Sequence, residues 1–143
     1  MTRVLFLCVG NACRSQMAEG FARAYGSDVM ESESAGLYPA VAVPDVTREV
    51  MAEKNIDLTG HFPKGLSEVD LSSFDIVVNM SGYMLPVETP GRLIHWDVRD
   101  PIGEDKETHQ EVARQIEREV MQLILELRAR RRPPQRPKKP RLS

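Results

Sequence analysis

The 143-residue sequence predicts a single α/β domain, a small three-layer sandwich in which helices cover both faces of a central four-stranded parallel sheet. Two observations carry this. Short apolar runs of strand length alternate with segments of helical periodicity, and the first run is apolar at every position, as a strand buried on both faces must be. A third observation is the size: the chain is long enough for one core and too short for two.

Val4 to Cys8 is that first strand. Ser15 to Tyr25 follows as a helix, with Met17, Ala18, Phe21, Ala22 and Tyr25 at helical spacing and Gly26 as the stop. Val29 to Ser34 reads as the second strand, and a Gly/Pro-punctuated loop leads to Pro44. Asp45 to Lys54 is a helix with Val46, Val50 and Met51 on one face. Beyond a turn-rich stretch with room for one short helix come the third strand, Asp75 to Met80, and the fourth, Arg92 to Trp96. The last helix runs from Glu107 to about Arg130, where Val112, Ile116, Val120, Leu123, Ile124 and Leu127 form an aliphatic stripe. The domain is therefore assigned to residues 1–130, and residues 131–143 to a basic, Pro-rich tail expected to be disordered.

Charge is unevenly divided. Eight of the 19 basic residues lie between Arg128 and Ser143 with no acid among them, so residues 1–127 hold 11 bases against 21 acids, a net charge of −10. An acidic body argues against nucleic acid as a partner of the folded domain. No apolar run approaches a membrane span and the first residues do not read as a signal peptide, so the expectation is a cytoplasmic protein. Two cysteines do not make a disulfide framework; in a reducing compartment such thiols are catalytic or buried.

Both cysteines sit in "CVGNACRS", Cys8 to Ser15, between the first strand and the first helix. In open parallel sheets the site lies at the carboxyl ends of the strands, and Cys8 ends the first one. Gly10 lets the backbone curl so that the amides of Val9, Gly10, Asn11, Ala12, Cys13, Arg14 and Ser15 can line an anion nest. The helix start adds free N–H groups and its dipole, and Arg14 adds a planar fork for two oxygens. Together these describe a cradle for phosphate or a close analogue. It is not a nucleotide-triphosphate loop, since the Gly-Lys-Ser/Thr ending is missing. A helix N-terminus and an arginine both favour the thiolate form of a cysteine beneath them, which makes Cys8 a nucleophile.

The segment resembles the Cys-x5-Arg-Ser/Thr loop of the low-molecular-weight protein tyrosine phosphatases and the related arsenate reductases, and the similarity runs through residues 1–130. The resemblance implies that Cys8 attacks and Arg14 clamps the oxyanion. It also implies that Asn11 holds the loop backbone and Ser15 hydrogen-bonds the departing sulfur. Cys13 falls where both branches often carry a second loop cysteine, and its spacing from Cys8 allows a reversible disulfide. His61, in "TGHF", matches a structural histidine turn of the family.

Ester cleavage also needs an acid. "HWDVRDPIGED" offers Asp97, Asp100 and Asp105 after the fourth strand, and Asp100-Pro101 matches the family's Asp-Pro pair; proline disfavours helix at Asp100 and holds it in a loop. "RSQMAEG" and the "HW" preceding the Asp-Pro pair are similar to the arsenate reductases. Those enzymes use two further cysteines, whereas here Ser81 stands at the first place and no cysteine at the second. Ile102-Gly103 also replaces the aromatic residues of the phosphatases.

The expectation is a cysteine-dependent phosphomonoesterase acting on a phosphorylated protein or small aryl phosphate. The alternatives are an arsenate reductase served by an external thiol reductant system, and a non-enzymatic phospho-residue binding module. No cofactor and no metal are expected, since His61, His95 and His109 are scattered and the cysteines are not spaced as zinc ligands.

Overall fold

A computed structural model of the chain describes residues 1–131. Four parallel strands, β1 (Thr2–Cys8), β2 (Met30–Gly36), β3 (Ile76–Asn79) and β4 (Arg92–His95), form one sheet in the order β2-β1-β3-β4. Three α-helices, α1 (Arg14–Gly26), α2 (Asp45–Ala52) and α3 (Lys106–Arg131), accompany them. The expected elements are all present, with ends displaced by a residue or two. From residue 132 the expected tail lies outside the described residues.

Side chains alternate across β1. Val4, Phe6 and Cys8 face a core built with Met17, Ala18 and Phe21 of α1 and with the aliphatic stripe of α3. Leu5 and Leu7 face the other way, onto Val77, Ala35, Phe74 and the connections that carry Leu66, Val69, Leu71 and Leu85. All four β1 residues from Val4 to Leu7 are fully buried, which explains their unbroken apolarity.

The two faces follow from handedness. Right-handed crossovers put α1 on one face as the chain steps from β1 to β2. The chain then reverses direction across the sheet: the link into β3 first lays α2 beside α1, where Val50 and Met51 join the same core, and only its later part, with the link into β4, covers the other face. That cover is thin: the single short helix anticipated there is two 3₁₀ turns, Leu66–Glu68 and Leu71–Ser73. Reversal of strand order beside β1 leaves a crevice at its carboxyl end, where Cys8 stands.

Gly26 and Gly36 are each dictated by close approach. A Cβ on Gly26 would lie 2.7 Å from Ile124, where α1 ends against α3. A Cβ on Gly36, the last residue of β2, would lie 2.7 Å from the Asn11 amide nitrogen and 2.8 Å from the Val9 carbonyl oxygen. β2 thus ends flush against the backbone of the cysteine loop.

Candidate active site

Residues 8–15 leave β1 and curl into the first turn of α1. The curl passes through the left-handed region at Asn11, with φ of 49°, a conformation that asparagine tolerates better than most residues. The Asn11 side chain is buried and holds the curl from inside. Its Nδ2 donates to Ser15 Oγ at 2.7 Å, while Oδ1 accepts from the Lys64 amide at 2.9 Å and from Gln16 Nε2 at 3.1 Å.

Ser15 Oγ lies 2.9 Å from Cys8 Sγ. Because Ser15 Oγ already accepts from Asn11, its own proton is free to point at the sulfur. A hydroxyl in that position stabilises negative charge on Cys8 whenever the sulfur acts as a leaving group.

Arg14, the first residue of α1, is buried. Nη1 donates to the carbonyls of Met80 and, at 3.1 Å, Val98, so the ends of β3 and of the β4 loop fix the guanidinium. Nη2 lies 3.4 Å from Asp100 Oδ2. Nε is buried and has no hydrogen-bond partner among the described residues. A buried N–H donor without an acceptor is costly, and an oxygen of a bound anion would satisfy it. Asp100 is partly exposed, and its Oδ1 accepts from the Ile102 amide at 3.1 Å, so the carboxyl is held at the mouth of the loop. Of the other two candidates, Asp105 is engaged at the start of α3, where its Oδ1 accepts from the Thr108 amide, and Asp97 is held by its backbone carbonyl, which accepts from Gln115.

A second layer joins the structural histidine expected at His61 to partners that the sequence does not single out. Gln16 Nε2 also donates to the carbonyls of Asn11 and Phe62, and its Oε1 faces His61 Nδ1 at 3.0 Å. His61 Nδ1 also lies 3.2 Å from Glu19 Oε2, and Glu19 Oε1 accepts from Ser34. Burial is the largest influence on His61 and pushes its pKa below 6.5 against the pull of Glu19, so a neutral ring donates from Nδ1 to these acceptors. His61 thus supports the loop through Gln16. The available signal was Gln16 and Glu19, polar residues spaced three apart at the start of an otherwise apolar helix, where solvent-facing positions would be the default reading.

Cys13 is buried and both cysteines are free. Thr47 Oγ1 donates to its sulfur at 3.3 Å, and His109 Nε2 lies 3.9 Å away. Burial pushes the Cys13 thiol up to about 11, only partly opposed by the Thr47 hydrogen bond.

Cys8, a serine on its sulfur, an arginine with an open donor and a carboxyl at the mouth are therefore in one place. The family model of the low molecular weight phosphotyrosine protein phosphatases matches residues 3–86. The chain belongs to this family. A glutaredoxin arsenate reductase of Synechocystis is 32% identical over 131 residues, covering 89% of this chain and 99% of that protein. Among solved structures, an arsenate reductase in a phosphate-binding state superposes with a TM-score of 0.83 at 31% identity, covering 89% of this chain and 99% of that one. A low molecular weight protein tyrosine phosphatase from T. tengcongensis gives a TM-score of 0.77, also at 31% identity, over 89% of this chain and all of that one. Family membership makes the chain an enzyme of the phosphatase or arsenate reductase type. The non-enzymatic alternative is set aside, because relatives matched over nearly their whole length are enzymes. No helix among the described residues is long and apolar enough to cross a membrane.

Proposed function

We propose that this chain is an arsenate reductase whose Cys8 adduct is resolved by an external low-molecular-weight thiol, with a glutaredoxin-like protein clearing the mixed disulfide. One observation carries the reading. Cys8 is equipped to attack a tetrahedral oxyanion, yet the chain's second cysteine is engaged by Thr47 and His109 as a protonated thiol. Nothing else in the sequence offers a thiol.

Arsenate sits on the loop amides, with Arg14 Nε as an added donor. The Cys8 thiolate attacks arsenic, an S–As bond forms, and an arsenic oxygen leaves as water with a proton from Asp100. An external thiolate then attacks Cys8 Sγ. The S–As bond breaks with its electron pair remaining on arsenic, which passes from As(V) to As(III) and departs as arsenite. The two sulfurs are oxidised to a mixed disulfide. A glutaredoxin-like thiol next displaces Cys8, whose departing sulfur receives the Ser15 hydrogen bond. The Synechocystis relative's name and the phosphate-binding state of the solved arsenate reductase support this reading.

Phosphomonoesterase activity is the second reading, and the position of Asp100 beside Arg14 favours it. The same attack on phosphorus, with Asp100 protonating the leaving oxygen and water releasing phosphate, needs no further thiol. Both are tested together by measuring arsenite production and aryl phosphate hydrolysis on one preparation, with and without glutathione plus glutaredoxin. Arsenite formed only with the thiol system supports the first reading. Aryl phosphate turnover with no arsenite under any condition would replace it with the second.

A further inference from the structure

The aliphatic stripe of α3 begins with a residue that does not belong to it. His109 lies three residues before Val112 and seven before Ile116, on the same buried face, and is itself fully buried. An imidazole in a core costs desolvation unless its nitrogens are partnered, and an aliphatic residue would pack there without that cost. The partners are specific. Nδ1 lies 3.0 Å from the Asp105 carbonyl oxygen, which can only accept, so Nδ1 carries the proton. In the neutral ring Nε2 is then an acceptor, and it faces Cys13 Sγ.

Cys13 is the final loop residue before Arg14. Its carbonyl accepts the Met17 amide in the first turn of α1, while its side chain makes no capping bond. The sulfur instead reaches between α2 and α3, receiving the Thr47 proton and offering its own to His109. The near end of the loop is pinned by Asn11. The far end, carrying the Cys13 and Arg14 amides, is pinned by this chain of three side chains. Holding Cys13 as a neutral thiol also keeps a second negative charge away from the bound anion.

We propose that His109 is a positioning residue of the oxyanion cradle, acting through the Cys13 thiol. The proposal rests on the oxyanion-binding reading of the loop but not on which oxyanion is turned over. Protection of Cys8 from iodoacetamide by inorganic phosphate reads cradle affinity without turnover, with the alkylated site located by mass spectrometry. His109→Leu removes the acceptor and keeps the bulk; it should raise the phosphate Kd about fivefold, the scale of one hydrogen bond. His109→Gln, which can still accept, should stay within about twofold of wild type. Cys13→Ala keeps His109 and should raise Kd by a factor similar to that of His109→Leu. In the Cys13→Ala background His109→Leu should add nothing further, because the two act as one unit.

A His109→Leu protein with wild-type Kd and only a lowered melting temperature would overturn the proposal and leave His109 as packing. Independent, multiplying effects of the two substitutions would also overturn it. If His109→Leu fails to fold, Cys13→Ala with an unchanged Kd overturns it alone. Wild-type Cys8 unprotected by phosphate would overturn the oxyanion reading, and this proposal with it.

Discussion

Asn11 is the residue on which the loop's shape depends most directly, and replacing it separates two contributions. Asn11→Ala deletes the hydrogen bonds to Ser15 Oγ, the Lys64 amide and Gln16 Nε2. At about 1 kcal/mol net for each, this costs about 3 kcal/mol. Alanine must also adopt the φ of 49°, which adds about 1 kcal/mol for a non-glycine residue without asparagine's local hydrogen bonding. Asn11→Gly loses the same hydrogen bonds and escapes the conformational cost. For a domain of this size 1 kcal/mol moves the melting temperature by about 3–4 °C, so the alanine variant should fall by about 14 °C and the glycine variant by about 10 °C. Thermal unfolding followed by circular dichroism measures both. In the same preparations phosphate should protect Cys8 less well in either variant than in wild type. A loss below about 1 kcal/mol for Asn11→Ala, or a glycine variant less stable than the alanine one, would refute the reasoning.

Three further outcomes follow from the same geometry. Gly36→Ala places a methyl group against the backbone of Val9, Gly10 and Asn11. It should lower kcat/KM by about a hundredfold through displacement of the cradle, and a near-wild-type rate would mean the loop yields freely. Asp100→Asn should slow aryl phosphate hydrolysis by about 10²- to 10⁴-fold, more for phenyl than for nitrophenyl phosphate, since the poorer leaving group needs the proton more. Equal losses on the two esters would remove Asp100 from leaving-group protonation. Cys13 titrates at about 11 when folded, against 9.0 in the free group. Between these values the unfolded chain releases a proton that the folded chain keeps, so stability falls as pH rises from 9 to 11, by up to about 3 kcal/mol. Denaturant unfolding across that range should show a steeper loss for wild type than for Cys13→Ala, and parallel curves would contradict the assignment.

The strands, the helices and the heart of the loop were legible because each depends on local pattern. Unbroken apolarity marked β1, helical spacing marked α1 and α3, and the position of Cys8 at a strand end marked the crevice. Arg14 could be chosen because an oxyanion needs a clamp, and Asp100, among three nearby aspartates, because Asp100-Pro101 resembles the family's Asp-Pro pair; the structure brings the two to 3.4 Å. What stayed hidden was support arriving from distant segments. Lys64 and Phe62 reach the loop from some 50 residues away, His61 was expected as a structural histidine but not its bond to Gln16, and Thr47 and His109 meet Cys13 from two different helices. Such contacts leave no periodic trace. His109 in particular reads as one more residue in a charged helix start until α3 is docked, and only then does its burial become apparent. The thin 3₁₀ cover of the second face escaped for a related reason: turns of three residues are too short to display a period.

The division of labour between Cys8 and an external thiol is tested most directly in a single turnover. Protein would be mixed with arsenate and glutathione in the absence of glutaredoxin, and arsenite and intact-protein mass followed together. The expected products are one arsenite per protein and one glutathione joined to the chain, mapped by peptide mass spectrometry to Cys8, with Cys13 still a free thiol. Cys8→Ser should give neither product. Arsenite released with a Cys8–Cys13 disulfide and no bound glutathione would rule out an external resolving thiol, because the second thiol would then have come from within the loop.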